Sequence, residues 1–151
     1  MKRILILLTG VILLTACQTD KTKEEAAELL QLATTQFEQK QYDAALLSLD
    51  SLRRAYPKAI EARKQAITLK QNIELARAEA ELATIDQALQ KAKADYEQLK
   101  KTSEAHHRQG TATADELTRT TQMRMYRDSL QVQFDVQCAK IKYIHKRQKQ
   151  E

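Results

Sequence analysis

The sequence contains few residues that interrupt helices. Its 151 residues include two glycines and one proline, far below ordinary usage. Because glycine and proline mark most turns and breaks, this scarcity favours a few long helices. Ala, Leu, Gln, Glu, Lys and Arg dominate the composition, and all of them are good helix formers. The sequence therefore predicts an all-α protein.

Other scarce residues exclude further classes. Tryptophan is absent, and five tyrosines and two phenylalanines are the only aromatic residues, which argues against a large globular core. Two isolated glycines cannot form a glycine-rich phosphate loop. The formal net charge is +5, and such a mild excess does not require a polyanionic partner.

No segment combines the residue types of a catalytic or metal site. Cys138 and His145 are seven residues apart, about 10 Å along a helix, which is too far for a hydrogen bond. Adjacent helical residues point about 100° apart, so His106 and His107 would share a metal ion only in a loop; solvated turn residues are the preferred interpretation. We predict no enzyme activity, cofactor or metal.

The N-terminus carries a basic and apolar segment that ends at a cysteine. Lys2 and Arg3 precede the apolar run 4–14, which is too short to span a bilayer but suits the h-region of a secretory signal. Leu14-Thr15-Ala16-Cys17 resembles the lipobox of bacterial lipoprotein signal peptides. The alternative is an ordinary signal peptide or an uncleaved anchor in which Cys17 occurs by chance.

This resemblance implies a signal peptide over residues 1–16, cleavage between Ala16 and Cys17, and acylation of Cys17 with fatty acids such as palmitate. Residues 17–22 would be a lipidated tether. The 135 remaining residues would carry a net charge of +3. Gln18, rather than Asp, follows the cysteine, which by the rule of well-studied Gram-negative lipoproteins implies the outer membrane. Such export argues against nucleic-acid binding. Cys138 becomes the only free thiol; a small apolar residue packed in a helix is the preferred interpretation, and pairing between chains is the alternative.

Residues 23–57 predict a pair of helices. Thr22 and Glu25 fit a capping box that starts a helix ending near Gln39, and a second helix runs from Tyr42 to Tyr56, before Pro57. The pair resembles a tetratricopeptide repeat. The matching residues are Leu29, Leu32, Ala33, Tyr42, Ala45, Leu49 and Pro57, where small Ala33 and Ala45 would let the helices approach closely. The pattern departs from that family at Leu29, where an aromatic is usual, and at Ala33, where glycine is usual; an ordinary helical hairpin is the alternative.

Residues 58–148 predict a long antiparallel coiled-coil hairpin with its turn at about 102–113. The first helix carries two apolar stripes at three- and four-residue spacing. The first stripe comprises Ala59, Ala62, Ala66, Leu69 and Ile73. The second comprises Leu75, Ala78, Leu82, Ile85, Leu89, Ala92, Tyr96 and Leu99. A second capping box, Thr113 to Glu116, starts the returning helix, whose predicted stripe is Leu117, Thr121, Met123, Tyr126, Leu130, Phe134, Cys138, Ile141 and Ile144.

The C-terminal residues are basic from Lys140 to Lys149. Cations complement the carbonyl end of a helix, which is the simpler interpretation; the alternative is attraction to an anionic membrane or envelope polymer.

Together these patterns predict a lipid-anchored, non-enzymatic envelope protein that acts as an adaptor or scaffold for other proteins. The candidate contact residues are Tyr42, Tyr56, Leu82, Leu89 and Tyr96. The protein partner is unknown, and a structural spacer or homo-oligomer is the alternative.

Overall fold

The computed structural model describes residues 21–150, of which 89% are helical, with four helices and no strands. The helices are α1 over residues 21–38, α2 (Tyr42–Ala55), α3 (Ile60–Arg108) and α4 (Ala114–Gln148). This confirms the predicted all-α class. The predicted signal peptide and Cys17 lie outside the described residues. None of the helices within 21–150 is long and apolar enough to cross a membrane.

The chain divides into two compact units between Glu74 and Leu75. In the first unit, α1, α2 and the beginning of α3 share one apolar core. Its buried residues are Ala33, Ala45, Leu49, Leu52, Ala66 and Ile73. Ala33, Ala45, Leu52 and Ile73 are fully buried. The first stripe predicted on α3 therefore packs against α1 and α2, and Ala33 and Ala45 lie inside the core as predicted.

The start of α1 differs from the prediction. Lys21 and Thr22 are already helical, so residues 21–22 are not part of a tether and Thr22 is not the residue that caps the helix. The Glu25 carboxylate faces other partners. Its Oε2 accepts a hydrogen bond from the Tyr56 hydroxyl at 3.1 Å, and its Oε1 lies 4.0 Å from Lys21 Nζ. This link between α1 and the end of α2 is a tertiary contact that a local capping pattern cannot reveal.

In the second unit, α4 packs against the later part of α3. Every residue of the second stripe predicted on α3, from Leu75 to Leu99, is buried or half-buried. Leu89 and Ala92 form a core with Leu130, and Phe134 packs against it. The same three- and four-residue spacing continues to Ser103 and His106. Helical heptad spacing on α3 is thus confirmed over ten positions.

The stripe predicted on α4 is partly wrong. Met123, Leu130, Phe134, Ile141 and Ile144 are buried or half-buried, but Leu117, Thr121, Tyr126 and Cys138 are exposed. Cys138 is therefore not packed in a core as preferred. The residues that face α3 follow strict heptad spacing. They are Glu116, Thr120, Met123, Arg127, Leu130, Phe134, Gln137, Ile141, Ile144 and Gln148.

The polar residues of α4 that face α3 explain why the predicted stripe was partly wrong. Arg127 places its guanidinium carbon 4.3 Å from the centroid of the Tyr96 ring, a cation–π contact. His106 Nδ1–H donates to Glu116 Oε1 at 2.8 Å. The Gln137 Oε1 atom is buried without a hydrogen-bond partner in the described part of the chain. Because these side chains occupy core positions, the apolar residues alone do not trace the packed face.

The turn of the hairpin is shorter than predicted. Residues 102–108 are helical, and only residues 109–113 separate α3 from α4. Gly110 has a φ of 71°. The Thr111 amide donates to the His106 carbonyl at 2.9 Å, and the Gly110 amide donates to the His107 carbonyl at 3.1 Å, which is a Schellman motif. Thr113 then caps α4, as predicted, by accepting from the Glu116 amide at 3.2 Å.

The turn after α1 uses the same motif with a lysine in the left-handed position. Lys40 has a φ of 60°, its amide donates to the Phe37 carbonyl at 2.9 Å, and the Gln41 amide donates to the Gln36 carbonyl at 2.8 Å. A side chain with a Cβ is strained in this conformation, whereas glycine is not.

We therefore expect opposite effects from two substitutions. Gly110→Ala should destabilise the second unit by about 1 kcal/mol, and Lys40→Gly should stabilise the first by up to about 1 kcal/mol. A Cβ at Gly110 would meet no atom within 4 Å, so its cost is backbone strain alone. Urea denaturation of the full chain measures both changes. An unaffected midpoint for Gly110→Ala would contradict the assignment of strain to this turn.

Candidate interaction surfaces

The candidate contact residues of the first unit are engaged within the unit. Tyr42 is half-buried, and its ring centroid lies 6.0 Å from that of Phe37. Tyr56 is half-buried and donates its hydroxyl hydrogen to Glu25. Partial burial, together with this hydrogen bond to a carboxylate, raises the pKa of Tyr56 above its usual value. Both rings join helices of the unit to one another and keep only part of their surface for a partner.

The candidates on α3 lie on the face that packs against α4. Leu89 is 1% exposed and has no surface to offer a partner. Tyr96 is half-buried beneath Arg127, whose Nε donates to Asp128 Oδ1 at 2.9 Å. This hydrogen bond raises the pKa of the Arg127 guanidinium. The heptad stripe that suggested a partner-binding edge is therefore occupied by the protein's own helix.

Leu82 lines a cleft between α3 and α4. The cleft has a volume of about 540 Å³ and is also lined by Cys138, Ile141 and four cationic or titratable residues near the end of α4. These four residues are Lys142, His145, Lys146 and Lys149. The basic C-terminal residues 140, 142, 145–147 and 149 are all exposed. Three of them occupy the last turn of α4, where cations complement the helix dipole.

The two histidines considered for metal binding are separated by their environments. His106 is hydrogen-bonded to Glu116, and His107 is exposed. Across residues 21–150, there is no group of three or more His, Cys, Asp or Glu side chains arranged to hold a metal ion.

Sequence reasoning missed a second stripe on α4. Its large apolar members are strongly exposed: Met125 by 65%, Val132 by 62%, Val136 by 58% and Tyr143 by 60%. Ser129 and Ala139 fall between them and are also exposed. Successive members are four and three residues apart, so they form one straight face on the side of α4 that points away from α3. We call these six residues the outer stripe.

The corresponding outward face of α3 is different. Its residues are Ala80, Thr84, Gln87, Lys91, Ala94 and Gln98, all exposed. Between Leu75 and Arg108, no large apolar side chain is exposed. An exposed apolar face is thus a specific property of α4 within this hairpin. Contiguous exposed apolar surface commonly marks a site of interaction with another protein.

The signal for the outer stripe was present in the sequence as heptad spacing. It was hidden because α4 carries apolar residues on two opposite faces, and the single stripe predicted on α4 contained no member of the outer one. Tyr126 and Leu117 lie between the two faces, and the predicted stripe included them in place of residues that face α3.

Comparisons of the chain with protein-family models, curated proteins and solved structures found no match.

Proposed function

We propose that this protein is a lipid-anchored, non-enzymatic component of the bacterial cell envelope that acts as an interaction adaptor or scaffold. The observation that carries the proposal is the outer stripe of α4. Four large apolar side chains, each more than half exposed, occupy one helix face that the hairpin's own packing does not use. Heptad-spaced apolar residues of this kind recruit another helix.

The anchoring part of the proposal depends on the sequence. The lipobox-like segment ending at Cys17 would attach the chain to a membrane, and Gln18 favours the outer membrane. In this arrangement the lipid sets the location and the helices present a surface there. The heptad-spaced packing of α3 with α4 supports a coiled-coil hairpin as the element that carries this surface.

Site-specific photo-cross-linking in intact cells tests the proposal. A photoreactive residue at position 132 or 136 of the full chain is expected to form a covalent protein adduct. Matched positions 87 and 94 are also exposed, but they lie on the polar outward face of α3, and they should form none. If all four positions gave no adduct, the adaptor proposal would be rejected; equal adducts at all four would show that contact does not depend on the outer stripe.

A structural spacer or homo-oligomer is the second candidate. It is favoured by the spacing of the outer stripe, which reads identically in both directions along α4. It is also favoured by the neighbouring charges, which run from acidic (Asp128, Asp135) to basic (Lys142, Lys149).

A further inference from the structure

We infer that the outer stripe of α4 binds the outer stripe of a second copy of this chain in antiparallel orientation. This inference rests on the homo-oligomer given as the second candidate function, because it makes a second copy of the chain the partner of that surface. Two hairpins would associate through a two-fold axis, with α4 of each copy at the centre of a four-helix arrangement. Such an interface is isologous: the same residues contribute from both sides.

The spacing of the stripe is self-complementary. Its steps of four, three, four, three and four residues read identically in both directions. With the axis midway between Val132 and Val136, each Val132 meets Val136 of the second copy. Met125 then meets Tyr143, and Ser129 meets Ala139. Large residues face large ones, small face small, and a thioether faces an aromatic ring, which is a favourable contact.

The charges along one edge of the stripe specify direction. Asp128, Asp135, Lys142 and Lys149 follow one another at seven-residue intervals, with the acidic residues first and the basic residues last. An antiparallel copy brings Asp128 beside Lys142 of the second copy, at both ends of the interface. A parallel copy would place this edge beside the opposite edge of the second copy, with Asp135 beside Lys140 and Lys142 beside Arg147, so that attractive and repulsive contacts are equal in number. Like charges across such an interface disfavour pairing, which leaves the antiparallel direction favoured.

The intramolecular contacts of this edge are compatible with the pairing. Both hydrogen bonds that Asp128 accepts from Arg127 go to Oδ1, and a carboxylate has lone pairs on both oxygens. Asp135 lies near the axis and approaches its own equivalent, which is one like-charge contact against the two Asp128–Lys142 pairs. Its Oδ1 accepts a hydrogen bond from Gln131 Nε2 at 3.0 Å. On the opposite edge, Tyr126 lies beside Lys140 of the second copy, where a ring can contact an ammonium group.

The size of the surface predicts a reversible dimer. From Met125 to Tyr143 the stripe is about 27 Å long, and one helix face buries less than the ~800 Å² per partner of standard interfaces. Confinement of two copies to one membrane raises their effective concentration and favours a weak contact of this kind. Covalent trapping is therefore the appropriate measurement.

Disulfide trapping distinguishes the two orientations. In the full chain with Cys138→Ser, a Met125→Cys copy and a Tyr143→Cys copy of different tagged size are co-expressed and oxidised. We expect a cross-link between the two different copies, because the antiparallel register brings these positions within disulfide range. Met125→Cys alone should not cross-link to itself, since its two copies are about 27 Å apart. The Cys138→Ser chain alone reports any contribution of Cys17.

Charge exchange tests the register. Asp128→Lys should weaken the trapped dimer by up to about 25-fold, because it removes two exposed charge pairs and the upper range for each is about fivefold. Adding Lys142→Asp to the same chain should restore it. That second change cannot restore the lost contact with Arg127, so rescue is specific to the contact between copies. Val132→Glu with Val136→Glu should abolish trapping, whereas Gln87→Glu with Ala94→Glu on α3 should leave it unchanged.

Three outcomes would overturn the inference. Self-cross-linking of Met125→Cys without the mixed product would show parallel pairing. Absence of any dimer, together with a photo-adduct of another mass at position 132, would assign the stripe to a different protein and leave the adaptor proposal intact. Absence of both the dimer and the adduct would reject the inference and the proposed function together.

Discussion

Replacing Leu52 with alanine is expected to destabilise the first unit by about 2–5 kcal/mol, the range for truncation of a buried leucine. Leu52 is fully buried in the core formed with Ala45, Leu49 and Ile73. The same core contains Ala33, Ala45 and Ala66, whose short side chains cannot extend into the space that truncation leaves. The cavity term therefore adds to the lost burial.

A matched control lies on the same helix. Leu47 is 70% exposed, and Leu47→Ala should change stability by no more than about 0.5 kcal/mol. Amide hydrogen exchange of the full chain separates the two units, because protection should fall over residues 21–74 and remain over 75–150. Equal effects of the two substitutions, or loss of protection confined to the second unit, would contradict the core described for α1, α2 and the start of α3.

The parts of the fold that were predictable are those in which apolar residues alone define the packed face. On α3 both stripes contain mainly Ala, Leu and Ile, and each is buried in its own unit. Ala33 and Ala45 were predictable for a similar reason, because small residues on facing helices permit close approach. Proline and glycine scarcity predicted the helical class without reference to any partner.

Where polar side chains occupy the packed face, apolar spacing was insufficient. Arg127 is half-buried because its planar guanidinium lies over Tyr96, and Glu116 is held by His106. Neither interaction can be inferred from hydrophobicity. Strict continuation of the heptad from Leu130 in both directions would have selected these residues in place of Tyr126 and Leu117. Periodicity was the better guide on α4, and hydrophobicity was the poorer one.

The exposed apolar stripe lies on a different helix from the candidate contact residues. An exposed heptad stripe was expected on α3 at Leu82, Leu89 and Tyr96, and these residues face α4. The stripe that remains exposed is on α4. A helix with apolar residues on two opposite faces has little net amphipathicity, although each face by itself is regular. Which face packs within the chain is decided by the partner helix, and the sequence of α4 alone does not contain that information.

Replacing Cys17 with serine is expected to have the largest effect on location, since it should abolish both membrane retention and processing of the chain. Acylation of the lipobox type requires the cysteine thiol, which forms a thioether that a serine hydroxyl does not replace. One acyl chain binds a membrane only marginally, whereas two or more anchor it stably. Without acyl chains, only the apolar run 4–14 could hold the protein in the membrane. It is too short to span a bilayer, because a spanning helix takes ~20 apolar residues.

Cys138 provides the matched control for this substitution. It is the other cysteine of the chain and is exposed on α4, so Cys138→Ser should leave cleavage, acylation and the membrane fraction unchanged, its mass differing only by the exchange of sulfur for oxygen. Fractionation of cells, followed by mass measurement of the intact chain, reports both properties. A Cys17→Ser protein that stays in the washed membrane fraction at the wild-type mass would reject the lipid anchor. Retention with an unprocessed mass would instead indicate that the N-terminal segment anchors the chain without cleavage.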